Sequence, residues 1–410
     1  MFAIFCKRLQ ISVTNGSIAV SESISHLGFP QKPLFVSYFS SSSSFAAIVD
    51  EQKRNFTVSY LVKSCGLSLE RATFASKKVH FETPERPDLV VNLLKNHGFT
   101  NAQISKFVMG APRLLLSDPE KTLLPKLQFF GSKGLSDTEC AQIISSCPSV
   151  LVRSLNRLMP IFDFLKSTLV MDEKVAAALK RWPRLLCQDV DKNLAPNLGL
   201  LREIGVPQPF ISRFLTTWPG SAFLKHSKFG DVVKEVKDMG FDPFKSKFVL
   251  AIRVLIGIKK VNWENKFEVY GRWGWSKDET LLAFKMCPLI MIISENKITK
   301  VMDFLINKMG WPSTDIARYP LVLCFSLEKR TIPRCSVVQI LLLKGLIKKD
   351  LSVYSFVGLV EKHFLERYVT KFQKSCPQLL SVYQRNGGSL GLTTEELDLK
   401  ICVEETIEAP

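Results

Sequence analysis

Cysteine and histidine, two residues that often carry out chemistry, occur here without the spacing that such chemistry needs. The chain of 410 residues has ten cysteines and five histidines. It has no Cys-x-x-Cys pair, no Cys/His cluster with zinc spacing, no His-Glu-x-x-His motif and no Gly-x-x-x-x-Gly-Lys-Ser/Thr phosphate loop. The sequence therefore predicts a protein that is not an enzyme, with no catalytic residue, metal, cofactor or small-molecule substrate.

The abundant chemical groups are cationic. The chain has 55 Lys and Arg against 38 Asp and Glu, a net charge of +17. Residues 1–44 contribute +2 and residues 386–410 contribute −5, so the segment between them carries about +20. A segment with this net positive charge produces an electrostatic field that attracts polyanions. The charge therefore favours nucleic acid as the partner. A basic surface kept for solubility, or one suited to an anionic membrane, is the alternative.

Fourteen of the basic residues lie near turns of a repeated pattern and are the candidates for nucleic-acid binding. They are Arg113, Lys121, Lys126, Arg153, Arg157, Arg181, Arg184, Lys192, Lys225, Lys285, Arg318, Lys329, Arg330 and Arg334. If equivalent positions face one side of the fold, these side chains form a stripe along a groove and neutralise successive phosphates. The alternative for each single residue is an ordinary solvated side chain on a helix.

A recurring proline marks the elements that would position these residues. Its cleanest series is Pro112, Pro148, Pro183, Pro219, Pro288 and Pro320, with steps of 36, 35, 36, 69 and 32 residues. An apolar run follows each of them, and each is expected to stop the helix before it. A period of about 35 residues predicts a solenoid, in which each unit packs on its neighbours.

Residues 112–148 illustrate how one unit is built. Pro112 ends a helix, an apolar connector follows, and Pro125 is expected in the first turn of the second helix. Gly134 is expected as a left-handed cap, and Ser136 as the N-cap of the next helix. The second proline recurs as Pro160, Pro196 and Pro333, and the glycine as Gly98, Gly205, Gly240, Gly274 and Gly310. The predicted fold is an all-α superhelix of about eight helical repeats.

The repeat register also accounts for many cysteines and aromatic residues. Cys147, Cys287 and Cys376 directly precede a proline, and Cys187 and Cys324 lie four residues after one. These positions predict small hydrophobic core residues. Trp182, Trp218 and Tyr319 share the slot before the proline and are interpreted as packing residues, with stacking on bases as the alternative.

The pattern fails in two places. Near residue 254 the expected proline is missing, and after Pro320 the next matching proline, Pro377, comes 57 residues later. The unit around residue 254 is therefore expected to have longer helices or to dock differently, and the C-terminal units to be irregular.

Both ends of the chain differ from its repeat body. Residues 1–44 contain eleven serines and a single acid, which is typical of an organellar transit peptide. Residues 386–410 predict an acidic C-terminal tail that could compete with nucleic acid for the basic groove. No apolar run reaches the 18 residues of a membrane span, so the chain is expected to be soluble.

With this register, the chain resembles the mitochondrial transcription termination factor (mTERF) family, of the plant organellar type. The features that carry the resemblance are Pro112-Arg113-Leu114-Leu115-Leu116 and Pro183-Arg184-Leu185-Leu186, each followed by a Leu-x-Pro-x-Leu-like helix and a glycine. The resemblance implies a right-handed α-solenoid over residues 45–385. It also implies nucleic-acid binding through a basic concave face, inside mitochondria or plastids.

These observations predict a non-enzymatic regulator of organelle gene expression that binds organellar double-stranded DNA in transcription termination or regulation. It is expected to be a monomer in the mitochondrial matrix, with the chloroplast stroma as the alternative location. An RNA-binding factor for intron splicing or rRNA maturation is the alternative function. A protein–protein scaffold for an acidic partner is the alternative of another class.

Overall fold

The computed structural model describes residues 56–348 and 350–385, and every regular element in this part of the chain is a helix. The predicted transit peptide (1–44) and acidic tail (386–410) lie outside the described residues. The expected all-α fold is confirmed.

Two kinds of α-helix alternate along the chain. We call a helix that leads into a repeat proline an A helix, and the helical run after the connector a B helix; α13 and α14 occupy these places where the proline is missing. The α-helices are α1 (56–63), α2 (Leu69–Ser76), α3 (Glu85–Asn96), α4 (Asn101–Gly110), α5 (Leu124–Ser132), α6 (Asp137–Ser146), α7 (Leu155–Leu169), α8 (Asp172–Arg181), α9 (Ala195–Glu203), α10 (Gln208–Thr217), α11 (Pro219–Ala222), α12 (His226–Asp238), α13 (Ser246–Gly257), α14 (Lys260–Gly271), α15 (Lys277–Met286), α16 (Glu295–Met302), α17 (Ser313–Arg318), α18 (Ile332–Leu343), α19 (Tyr354–Val357), α20 (Glu361–Phe364) and α21 (Leu379–Arg385).

Short 3₁₀ and π segments complete the repeats. The 3₁₀ segments are Pro112–Leu116, Pro148–Val152, Pro183–Cys187, Pro288–Ile292, Pro320–Cys324 and Thr370–Phe372. The π segments are Pro119–Leu123, Val190–Leu194, Asp303–Lys308, Leu327–Thr331 and Leu365–Val369. Five repeat prolines thus begin a 3₁₀ connector, and Pro219 begins the short helix α11. All six end an A helix, as the sequence predicts, because proline has no N–H to continue it.

The helix caps of the repeat lie at the residues that the sequence predicts. Ser136 accepts a hydrogen bond from the backbone N–H of Glu139, whose carboxylate accepts one from the backbone N–H of Ser136, so α6 begins with a capping box. All six predicted glycine caps have a left-handed backbone, with φ between 75° and 87°. Val170, at φ 67°, takes this place between α7 and α8. A branched side chain there is strained, because that conformation favours glycine.

The second proline lies deeper in its helix than the sequence predicts. The helical run of the first regular B helix begins at Pro119, not at Pro125, because Asp118 caps it by accepting from the N–H of Lys121. Pro125 is then the seventh residue of the run. The turn before it widens into a π segment, in which the N–H of Leu124 donates to the carbonyl of Pro119. This geometry accommodates a residue that cannot donate, and it recurs before Pro196 and Pro333.

Stacking of like elements produces one continuous core. Each A helix packs on the next, from α4 through α6, α8, α10, α13 and α15 to α17. The core extends from Tyr60 to Tyr383 and includes four of the five register cysteines, while the partly buried Cys187 packs against it. Trp182, Trp218 and Tyr319 pack against Phe223, Phe214 and Tyr354, as a packing role predicts.

The unit without a proline differs as expected. Its A helix, α13, has 12 residues where α4, α6, α8, α10 and α15 have ten. A cavity of about 970 Å³ adjoins this unit, between α12, α14 and α15. The aromatic residues Trp263 and Phe267 line it, together with charged residues of both signs: Glu235, Lys260, Glu264, Glu268 and Lys277. The C-terminal units are also irregular, because α19 and α20 have only four residues each.

Candidate nucleic-acid interface

The fourteen predicted basic residues fall into two groups. Nine are exposed, and their side chains make no hydrogen bond or ion pair with any residue that the structure describes: Lys121, Arg157, Arg181, Arg184, Lys192, Lys225, Lys285, Arg318 and Lys329. Arg113 is exposed too, and its Nε donates to the carbonyl of Lys78 at 3.1 Å. The other four are partly or wholly buried and belong to the scaffold.

Two of the predicted contact residues, Lys126 and Arg334, have buried side chains. Lys126 is 7% exposed and its Nζ donates to the carbonyl of Leu151, while burial lowers the pKa of its amine. Arg334 is 0% exposed. Its guanidinium donates to the carbonyls of Phe356 and Val357 at 3.1 and 3.0 Å, to that of Leu359, and to Glu361 at 2.7 Å. Neither side chain can reach a ligand.

These buried donors occupy one register position. Lys126, Asn197 and Arg334 each follow the second proline of their B helix, and each donates to a carbonyl 25 residues further on, in or after the next connector. The last carbonyls of a short helical turn have no partner within it, and an unpaired buried carbonyl is costly. We call these side chains carbonyl staples. They join each unit to the next.

Arg153 and Arg330 are half-buried, and their side chains also donate to backbone carbonyls of the next unit. Arg153 donates to the carbonyl of Cys187, and Arg330 donates to the carbonyls of Val357 and Leu359 at 3.0 and 2.7 Å. The Arg330 guanidinium also lies 4.2 Å from the centre of the Phe325 ring. Both remain only partly available to a ligand.

One register position collects basic side chains, of which all but one are exposed and make no contact of the staple kind. Each of the six repeat prolines from Pro112 to Pro320 is followed, nine residues later, by a lysine or an arginine: Lys121, Arg157, Lys192, Lys228, Lys297 and Lys329. We call this set the basic column. Lys228 and Lys297 were not among the sequence candidates, although counting from the proline would have found them. All but Lys297 are exposed, and Lys297 donates to the carbonyl of Cys324 at 2.8 Å.

The local structure places every member of the column in the same way. Each is the third residue of its B-helix run, after the caps Asp118, Ser154, Asp189, Lys225, Ser294 and Ser326. Because the A helices stack on one another in register, we expect equivalent positions of successive B helices to lie on the same side of the fold. The column is then expected to form a row of cations along that side.

The charge in the column opposes the helix dipole. A cation in the first turn of a helix is unfavourable by about 0.3–1 kcal/mol, and an anion is favourable by the same amount. Three A helices follow this rule, since the third residues of α6, α15 and α17 are Glu139, Glu279 and Asp315. The third residues of α4, α10 and α13 are uncharged, and that of α8 is Lys174. The B helices reverse the rule in all six proline-bearing units, so helix stability does not explain the column.

The column has a gap at the unit without a proline. The third residue of α14 is Asn262, and the nearby cavity presents Glu235, Glu264 and Glu268. The proline and the cation are therefore lost in the same unit. Residues 56–348 and 350–385 contain no group of three or more His, Cys, Asp or Glu that could hold a metal ion. No helix in that part of the chain is long and apolar enough to cross a membrane.

The fold and this surface define an all-α repeat protein with a periodic row of cations. The sequence profile of the mTERF family matches residues 91–254 and 251–365, which together make up more than half of the chain. The chain belongs to the mTERF family.

Two relatives from Arabidopsis thaliana are similar to it. One is the chloroplastic transcription termination factor MTERF8, 20% identical over 221 residues, which are 53% of this chain and 44% of the relative. The other is the mitochondrial transcription termination factor MTERF15, 20% identical over 293 residues, 71% of this chain and 64% of the relative. The match thus spans about half to two thirds of these relatives.

Proposed function

We propose that this protein binds double-stranded nucleic acid along the basic column and regulates organelle gene expression without catalysis. The observation that carries the proposal is the recurrence of a cation nine residues after each of the six repeat prolines, at a position where a cation weakens the helix. Five of the six side chains are exposed, and a phosphate backbone is the periodic polyanion that such a row suits.

The expected spacing of the column residues is compatible with the spacing of phosphates along DNA. Packed helices lie about 8–10 Å apart, which sets the order of the step between neighbouring column residues. Each strand of B-DNA carries one phosphate per 3.4 Å of helix axis, so that step passes about three phosphates. Contacts of this kind fix position and affinity but do not read the sequence. The exposed arginines Arg113, Arg181, Arg184 and Arg318 extend the cationic surface near the repeat prolines.

Duplex DNA in transcription termination or regulation is the leading target, because both relatives are named transcription termination factors. Structured RNA is the second candidate, since its backbone presents the same phosphates to the column. One relative is mitochondrial and the other chloroplastic by name. With the serine-rich leader, this supports an organellar location, for which we propose the mitochondrial matrix ahead of the plastid stroma. Imaging of the full chain fused to a fluorescent protein distinguishes the two.

Binding of the purified chain to a 30-base-pair duplex and to a hairpin RNA, measured from 50 to 300 mM salt, tests the proposal. We expect log K to fall linearly with log salt, with a slope of about −0.9 for each phosphate neutralised on DNA. Salt-independent binding, or no binding to either probe, would contradict it. An acidic protein partner would instead survive nuclease treatment in a pull-down, and that result would favour the scaffold.

A further inference from the structure

Two pairs of cysteines join neighbouring repeat units. The Cys147 and Cys187 sulfurs are 3.9 Å apart, and the Cys287 and Cys324 sulfurs are 3.7 Å apart. Both pairs obey one rule of register: the residue before a repeat proline meets the residue four positions after the next repeat proline. The elements that carry them pack on each other in both places. The fold thus holds two thiols from different units in contact, twice.

A disulfide at either place needs only a small approach of the sulfurs. The bond is about 2.05 Å long, so the atoms would close by less than 2 Å, a shift within reach of side-chain rotation. Each bridge would join two connectors that already pack together.

The surroundings distinguish the two pairs. Cys187 is partly exposed, whereas Cys287 and Cys324 are buried. The hydrogen bond with the Cys147 thiol lowers the pKa of Cys187, and Ser149 and the guanidinium groups of Arg153 and Arg184 act in the same direction. The thiolate is the reactive form of cysteine, and nearby arginines favour it. The first pair therefore combines a partner thiol, access to solvent and an activating environment.

We propose that Cys147 and Cys187 are a peroxide-oxidisable pair, in which Cys187 reacts first and Cys147 resolves it into a disulfide between neighbouring units. The Cys187 thiolate attacks hydrogen peroxide; an S–O bond forms, the O–O bond breaks, and the departing hydroxide takes the proton that Cys187 lost, giving water. The Cys147 sulfur then attacks the Cys187 sulfur; the S–S bond forms, the S–O bond breaks, and the hydroxyl leaves with the Cys147 proton as a second water. Two thiols lose two electrons and one peroxide is reduced to two waters.

The cysteine pair lies at two connectors that each precede a column residue in the chain, but its proposed chemistry does not depend on the function of the column. Arg157 follows the connector after Cys147, and Lys192 follows the connector that ends at Cys187. Oxidation would fix the relation between the two units that carry these cations. The Cys287–Cys324 pair has the same register without the exposure, so it serves as an internal comparison.

The test is to treat the folded full chain with hydrogen peroxide, block the remaining thiols by alkylation, and digest it with trypsin without reduction. Cleavage after Arg153, Arg184 and Lys192 separates the two cysteines, so a bridge appears as one linked peptide pair. Fragmentation distinguishes Cys147 from Cys140, which shares its tryptic peptide. We expect the Cys147–Cys187 link to accumulate at least about tenfold faster than the Cys287–Cys324 link.

Two variants sharpen the result. Cys187→Ser should abolish the link and leave the helical circular dichroism spectrum unchanged. Arg184→Gln should slow peroxide consumption severalfold near neutral pH, because the thiolate loses a stabilising cation. The proposal is overturned if folded protein forms no Cys147–Cys187 link, or if both links form at equal rates. It is also overturned if the same links form equally in urea, where contact in the fold no longer selects them.

Discussion

The A helices α6 and α15 have the opposite charge from the B helices at the third residue of the helix. In α6 and α15 the third residue is a glutamate that closes a capping box, and Glu139 is also 2.7 Å from Lys180 of the neighbouring A helix α8. In the B helices of the proline-bearing units the third residue is always lysine or arginine. Both helix types share the same backbone need, since each start has unpaired N–H groups and a partial positive charge.

The difference separates residues that build the fold from residues that are available for a ligand. The third residue of an A helix varies from glutamate in α6 and α15 to lysine in α8, whereas the third residue of the B helix is a cation that opposes the helix dipole in each of the six units with a repeat proline. A second distinction lies within the B helices, where Lys121 is exposed and Lys126, five residues later, is a staple. Position in the register, rather than charge itself, decides the role of a basic residue.

The largest expected difference is between substitutions of Arg334 and Lys329, which lie on the same B-helix run. Arg334→Met leaves Glu361 and the connector carbonyls without their donor, and we expect a loss of about 3–5 kcal/mol in the free energy of unfolding. Lys329→Met removes an exposed cation and should change that free energy by no more than about 0.5 kcal/mol. Urea denaturation of both variants checks this, and equal losses would contradict the assignment of Arg334 as a staple.

A charge reversal in one B helix should move stability and binding in opposite directions. Lys192→Glu removes an unfavourable cation and places a favourable anion at the helix start, so we expect the free energy of unfolding to rise by about 0.6–2 kcal/mol. Its affinity for duplex DNA should fall by at least about tenfold at 0.1 M salt, because one phosphate contact is lost and a repulsion replaces it.

The matched charge reversal in an A helix should lower the free energy of unfolding without lowering the affinity for DNA. Glu139→Lys removes the capping box and the ion pair with Lys180, so stability should fall while the affinity for DNA does not decrease. For each variant, thermal unfolding gives the direction of the change in stability, and titration with duplex DNA gives the direction of the change in affinity. If Lys192→Glu weakens folding, or leaves binding unchanged, the contrast between the two helix types fails.

The smallest expected effect comes from filling the gap in the column. Asn262→Lys adds a cation at the third residue of α14, and we expect a gain in affinity of less than about tenfold at 0.1 M salt with a slope steeper by about 0.9. Gln142→Lys, on the exposed face of α6, adds the same charge to an A helix and serves as the control. Equal gains for the two variants would mean that net charge, not position, governs binding.

The sequence predicted the parts of the fold that local physics determines. Proline cannot continue a helix, glycine takes the left-handed cap, and Ser136 with Glu139 caps α6, so these elements lie where the pattern places them. The depth of Pro125 was mispredicted because the Asp118 cap starts the helix earlier. Proline spacing alone does not report that cap.

The candidate site was harder to predict because burial depends on a neighbouring unit. Lys121 and Lys126 look alike in the sequence, yet the carbonyl that Lys126 meets belongs to a connector 25 residues further on. The column itself is readable from the sequence, but only when each basic residue is counted from its repeat proline. Grouping by proximity to the turn mixed column residues with staples and omitted Lys228 and Lys297.

The most direct test of the account compares two variants with equal losses of charge. The column variant is K121Q/R157Q/K192Q/K228Q, and the control replaces four exposed lysines outside the column, K106Q/K174Q/K237Q/K277Q. For duplex DNA we expect the salt slope of the column variant to become shallower by about 3.6, and that of the control to change by less than about 1. Equal changes in the two slopes would contradict the claim that the column is where nucleic acid binds.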